Sequence, residues 1–207
     1  GGHQRNFGMM LAKGKYIAFL DDDDRFLPTK IEKQVAAMKQ YQCQMACTEG
    51  LIGKGIYSPD NKYKVYHYKG HYWNALKRIF KNRDSSDMLE DMYKDEINVW
   101  NEECFKFHNC VICSSMMIDK SLISKAGYFP IKKTADDYAY WKQLIKHSNC
   151  VFIREPLIYY DNGHGHGRNY MNSSTNKEGN PNKVIILEEK PTCFSKDASV
   201  PLTVSKL

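Results

Sequence analysis

The sequence predicts an α/β fold in a single domain, on three observations. An apolar run, YIAFL, enters four consecutive aspartates and is followed by a proline-led amphipathic stretch, which gives the order strand, acidic loop, helix. Late in the chain TADDYAYWKQLIKHSN reads as a second helix and CVFIREPLIYY as a further strand. The 207 residues, 42% hydrophobic and 13% aromatic, suffice to bury one substantial core.

From the amino terminus, Gln4 to Lys13 read as a helix carrying Phe7, Met10 and Leu11 on one side and stopped by Gly14, and Tyr16 to Leu20 as a buried strand. A βαβ unit needs an earlier strand, so the amino-terminal part of the fold is expected to be absent from this chain or supplied from elsewhere. After the aspartates, Pro28 suits a first helical turn, and Ile31, Val35 and Met38 recur at i, i+4 and i+7. QMACTEGLI reads as the next strand, after which Gly50, Gly53 and Gly55 are expected to loosen the chain. Within 57–105, YKVYHYKGHYW is strand-like and NALKRIFKN helix-like, while the charged RDSSDMLEDMYKDE receives no element. Val111 to Met117 reads as a buried strand leading to a short helix that ends at Gly127. The later helix should turn Trp141, Leu144 and Ile145 inward. From Gly163 the tail is rich in Gly, Asn, Ser and Lys and reads as loop, with one strand at KVIILEE.

Bulk properties exclude several classes. No run reaches the roughly 18 apolar residues of a membrane span, and no signal peptide opens the chain. The seven cysteines are odd in number and scattered, which suits reduced thiols in a cytosol-like compartment; the expected place is the cytoplasm, the cytosolic face of a membrane included. A net charge of +6 favours an anionic partner, but no nucleic-acid motif is present and the cations are spread along the chain, so nucleic acid is not expected.

Four adjacent carboxylates repel one another, and a buried one would take up a proton. A cation removes that cost. Mg²⁺ and Mn²⁺ prefer oxygen ligands, and Mg²⁺ is commonly held by one or two carboxylates plus the phosphates of a substrate. In an open α/β sheet such a site belongs at the carboxyl end of a strand, where Asp21 to Asp24 fall. A solvated acidic turn capping the next helix is the competing reading. An EF-hand loop is excluded by the spacing.

RNFGMMLAKGKYIAFLDDDDRFLPTKIEKQV resembles the nucleotide-binding half of family 2 glycosyltransferases, with R-N-x-G, A-x-G-x-Y-I, a D-x-D-containing cluster, then Pro and an amphipathic helix. SSMMIDKSLISKAGYFPIKKTADDYAYWKQLIKH resembles that family's acceptor half. The resemblance covers 1–48 and 107–170, leaves 49–106 as a variable insert, and leaves 171–207 as a tail that is mostly loop. It implies a GT-A-type, Rossmann-like mixed sheet flanked by helices. It also implies a metal-dependent inverting transfer of sugar from a nucleoside-diphosphate sugar, UDP-sugar at the family level, to a hydroxyl of a glycan or glycoconjugate.

Carried over by position, the resemblance has Asp23 ligate Mn²⁺ or Mg²⁺ and Asp21 face the donor's ribose or sugar. Asp22 and Asp24 are alternates, because a run of four leaves the register open by one. Arg5 would contact the nucleotide or diphosphate. Asp137, with Asp136 beside it, would be the base for the acceptor hydroxyl, its helix start helping to keep it ionised. His164, His166 and Arg168, alternating with glycines, could close over the diphosphate or join the metal.

Each role has a plain competitor. Thr134-x-x-Asp137 also fits a capping box, Arg5 and Asn6 could be helix-surface groups, and the glycine-rich 163–168 could be a surface loop. Cys110-x-x-Cys113 lacks a second pair, so zinc is not expected. The Tyr, Trp and Lys of 63–78 could stack on an acceptor sugar or only on one another. Two other functions stay open: a sugar-phosphate nucleotidyltransferase, and a non-catalytic nucleotide- or glycan-binding relic that lacks half of its donor pocket.

Overall fold

A computed structural model of the chain describes residues 2–132 and 135–163, and the backbone of 183–186. Among the described residues eight strands form one mixed sheet, ordered β2-β7-β3-β6-β1-β8, with β4 added to β3 and β5 to β7. The strands are β1 (Tyr16–Leu20), β2 (Arg25–Phe26), β3 (Met45–Gly53), β4 (Lys64–Val65), β5 (Ile97–Trp100), β6 (Met117–Asp119), β7 (Cys150–Asp161) and β8 (Lys183–Ile186). The helices are α1 (Gly2–Leu11), α2 (Lys30–Gln40), α3 (Trp73–Lys81), α4 (Ser86–Tyr93), α5 (Cys104–Phe107), α6 (Ile123–Ala126) and α7 (Asp136–Leu144). No helix among the described residues is long and apolar enough to cross a membrane.

The sheet is covered on both faces, which is why its strands read as unbroken apolar runs. In β1, Tyr16 and Ala18 pack with Ala46, Met117 and Val151 beneath Ala37 and Met38 of α2. Ile17 and Phe19 point the other way, into a larger core with Met9, Leu76, Tyr93, Trp100, Trp141 and Phe152. Trp141, Leu144 and Ile145 are buried as their spacing predicts, and Gly127 ends α6 at φ 75. The side of α1 carrying Phe7, Met10 and Leu11 faces outward: these are 64%, 59% and 44% exposed, while Arg5, Gly8 and Met9 face the sheet.

Three stretches fold otherwise than their sequence suggests. Gly50 and Gly53 continue β3 rather than loosening it, because both stay paired with β7; glycine is needed there, since an added Cβ would lie 3.0 Å from Ile158 at Gly50 and 2.5 Å from the Tyr159 hydroxyl at Gly53. YKVYHYKGHYW forms only the two residues of β4, since the amides of His67 and Tyr68 are taken by the Glu49 carboxylate and cannot extend a ladder. Val111 to Met117 is buried, but Cys113–Ser115 forms a 3-10 turn and the strand starts only at Met117; Ser115 Oγ bonds the Ile112 carbonyl. The unassigned charged segment contributes α4, and β5 follows it.

Lys30, at the start of α2, is fully buried, with Nζ 2.6 Å from Gln34 Oε1 and 4.1 Å from the centre of the Phe26 ring. Gln34 spends its amide on the carbonyls of Ala46 and Ser115, clamping α2 to β3 and to the 3-10 turn. Burial draws the Lys30 ammonium down from 10.5 to about 7. Between these values the unfolded chain keeps a proton that the native chain has shed, so Lys30 makes stability rise with pH, at most about 1.4 kcal/mol per unit. In Lys30→Met that rise should disappear, which urea midpoints on either side of the window would show.

Candidate active site

Strand β3 runs parallel to β7, and β6 is antiparallel to both β3 and β1, so β1, β3 and β7 all end at the same edge. Asp21 to Asp24 leave β1 there in a tight turn closed by the Asp24 amide on the Asp21 carbonyl, 3.2 Å. This is the crevice side on which open α/β sheets bind ligands.

The four aspartates are not equivalent. Asp24 is turned in: Oδ1 accepts the Asp161 amide at 3.0 Å and Oδ2 accepts the Ser114 hydroxyl. Ser114 Oγ in turn accepts the Asp21 amide at 3.0 Å. Asp24 is therefore a strut joining the ends of β1 and β7 to the 3-10 turn, and burial pushes its carboxyl up to about 8 despite both bonds. Asp22 is exposed. Asp23 is half-buried, and its carboxyl is raised by burial and then by the charges of Asp21, Asp22 and Asp161. Asp21 Oδ1 takes Arg5 Nη2 at 2.7 Å.

Arg5 and Asn6 are the join between the two halves of the sequence. Besides Asp21, Arg5 faces Asp136 Oδ1 at 3.7 Å and lies over the Phe129 ring. Asn6 pairs with the backbone of Phe129 in both directions, donating to its carbonyl at 2.9 Å and accepting its amide at 2.8 Å. Gly2 gives this contact room, because a Cβ there would lie 3.1 Å from Asp136 Oδ2 and 3.3 Å from Phe129 Cβ. Arg5 and Asn6 are thus committed to contacts across the fold, while His3 and Gln4 of the same helix stay on its surface.

Asp136 and Asp137 open α7. Asp136 Oδ1 accepts the Asp137 amide, and Asp137 Oδ1 accepts the Tyr138 amide at 2.6 Å. The second oxygen of Asp137 meets Asn109 Nδ2 at 3.4 Å. The carboxyl of Asp137 is raised, not lowered, because burial outweighs the Tyr138 amide and Arg5. That direction suits a proton acceptor better than the low value expected at a helix start. Thr134, His164, His166 and Arg168 lie outside the described residues.

Among the described residues no three or more His, Cys, Asp or Glu side chains are arranged to hold a metal ion. The six described cysteines are free thiols, Cys110 and Cys113 included. Sequence reasoning did not find Ser114, Asn109 or Asp161. Only Asp161 carried a signal, as an aspartate at the carboxyl end of a strand, like Asp21.

Residues 1–119, more than half of the chain, match the family model described as glycosyl transferase family 2. Two curated relatives align with it. The UDP-Glc:alpha-D-GlcNAc-diphosphoundecaprenol beta-1,3-glucosyltransferase WfaP of Escherichia coli is 24% identical over 141 residues, 68% of this chain and 43% of the relative. The putative teichuronic acid biosynthesis glycosyltransferase TuaG of Bacillus subtilis is 25% identical over 157 residues, 75% of this chain and 50% of the relative. The chain thus spans half or less of the curated relatives it matches. Among solved structures, S. aureus TarS 1-349 in complex with UDP-GlcNAc superposes with a TM-score of 0.53 at 13% identity, covering 80% of this chain and 40% of that one. Its complex with UDP gives 0.50 over 77% and 39%. At such identity the likeness establishes the fold, which is of the GT-A type.

Proposed function

Because the chain belongs to glycosyl transferase family 2, we propose that it takes part in metal-dependent, inverting transfer of sugar from a UDP-sugar to a hydroxyl of a glycan or glycoconjugate. The observation that carries this reading is the Arg5 bridge, which sets Asp21 of the donor side and Asp136, next to Asp137, on the two flanks of one cation. A UDP-sugar is supported by the name of WfaP and by the UDP-GlcNAc and UDP bound to TarS. A glycan-type acceptor is supported by the names of WfaP and TuaG.

Residues 1–48 supply the donor side and 107–170 the acceptor side. Asp23, with Asp21 beside it, would hold Mn²⁺ or Mg²⁺. The residues fit a shared site: Asp23 stands among carboxylates whose repulsion a cation relieves, and one or two carboxylates plus a diphosphate is the usual way to hold Mg²⁺. Such an ion would offset the charge that gathers on the leaving diphosphate. Asp24, with both oxygens engaged, braces the turn instead. Arg5, its side chain only 8% exposed, keeps Asp21 and Asp136 in register. Asp137 receives the proton of the acceptor hydroxyl as it attacks the sugar from the face opposite the diphosphate, which inverts the configuration.

Titration with a labelled UDP-sugar, with and without Mn²⁺, tests this reading. Metal-dependent binding is expected in the wild type and should fall at least tenfold in Asp23→Ala, since typical charge-assisted contacts are worth about 1.5–3 kcal/mol. Metal-independent binding, or binding that survives alanine at both Asp21 and Asp23, would overturn it. A chain that instead takes a nucleoside triphosphate and a sugar phosphate is the nucleotidyltransferase.

A further inference from the structure

A cavity of about 440 Å³ opens at the same sheet edge, beyond the ends of β3 and β7, between the insert and the residue after Asp161. Lys54, Lys62, Lys64 and His71 line it with Tyr63 and Asn162, and no carboxylate is among its described lining residues. Three exposed lysines with no carboxylate among the described lining residues give this concave space a positive local field, which favours an anion entering it. Its walls are set before any ligand arrives. Tyr63 packs against Tyr57 at 5.5 Å and Tyr159 at 4.9 Å, and its hydroxyl accepts the Ser58 amide at 2.9 Å. Gly53 is required where these rings close on the strand, since a Cβ would lie 2.8 Å from the Tyr63 ring. The Asn162 amide is fixed on the Gly53 carbonyl at 2.8 Å. Asn162 of its lining directly follows Asp161, whose amide is donated to Asp24 of the acidic turn.

We propose that this cavity binds the oxyanion of an acidic glycan, a phosphate or a uronate carboxylate, with Tyr63 beside the ring that carries it. The assignment of that glycan as acceptor rests on the transferase reading above; the anion site itself does not. Phosphate and carboxylate present the same oxygen chemistry to lysine, so the test separates them. The 207-residue chain, free of metal, is titrated calorimetrically with inorganic pyrophosphate, with methyl glucuronide and with methyl glucoside. At least one of the two anions should bind saturably and the neutral glucoside should not. In Lys54→Gln/Lys62→Gln/Lys64→Gln that affinity should fall about tenfold or more, and added salt should weaken it in the wild type. The three positions are exposed, so the variant is expected to fold, which its melting curve checks. Pyrophosphate alone assigns a phosphate, glucuronide alone a carboxylate. Saturable binding of neither, or equal binding by the triple variant, overturns the proposal. If the wild type fails to bind UDP-sugar with Mn²⁺ yet shows lysine-dependent anion binding, the transferase reading falls and the cavity stands.

Discussion

Asp137→Asn is expected to reduce sugar transfer by about two orders of magnitude or more, since general-base catalysis is typically worth about 10² to 10⁴. The fold should tolerate the change. An asparagine oxygen can still accept the Tyr138 amide, Asp136 remains in place to accept the amide of residue 137 and to face Arg5, and only the long 3.4 Å contact from Asn109 Nδ2 is lost. Donor affinity and melting temperature should therefore stay near wild type while turnover collapses. The wild-type pH profile supplies a second readout. Burial raises the Asp137 carboxyl above 3.8, and the base acts only when ionised, so activity should begin to fail on the acid side above that value. A variant that loses stability but keeps its turnover per folded molecule would show that Asp137 only opens the helix, and would move the role to Asp136.

The largest expected loss of stability lies in the insert, at Glu49. This carboxylate is 1% exposed and collects four donors: the amides of Gly50, His67 and Tyr68 at 2.8–2.9 Å, and His67 Nδ1 at 3.1 Å. Burial pushes its carboxyl up, yet His67 and the amides outweigh that and draw it down. Glu49→Ala strands three amides and a ring nitrogen beside Tyr93 and Phe152, at a cost of about 3–5 kcal/mol, or about 10 °C for a chain of this size. Glu49→Gln keeps an acceptor oxygen and should lose less. The contribution of the charge is present above 4.5, the ordinary value, and is lost as pH falls through the depressed native one. Acid unfolding curves of wild type and Glu49→Gln should therefore converge at low pH.

Much of this architecture is readable from the chain alone where an element carries its own pattern. YIAFL is buried on both faces and says so in five letters, while the proline-led helix after it and Trp141, Leu144 and Ile145 show their period directly. The insert is different, because its shape comes from partners far along the chain. Lys64–Val65 is a strand only because β3 lies beside it, and the turn after it exists because Glu49, 18 positions earlier, takes the His67 amide. Four identical aspartates cannot be told apart by letter; Ser114 and the Asp161 amide turn Asp24 inward and leave Asp23 outward. Arg5 is visible through its motif, but its second carboxylate, Asp136, belongs to a helix far along the chain.

The bonds that knit the site have a consequence for the order in which it forms. Asn6 meets Phe129 across 123 positions, Ser114 meets Asp24 across 90 and Asp24 meets Asp161 across 137. Closing chain segments of that length costs entropy before any contact repays it, and distant pairings slow folding for the same reason. Helix α2 and the hairpin-like turn around Glu49 can take shape as soon as their own residues are available. The acidic turn cannot: until β7 is laid against β3, Asp24 has no Asp161 amide to accept, and until the 3-10 turn is in place it has no Ser114 hydroxyl. The arrangement of carboxylates therefore depends on the same long-range closure that lays β7 against β3, and cannot be set before it.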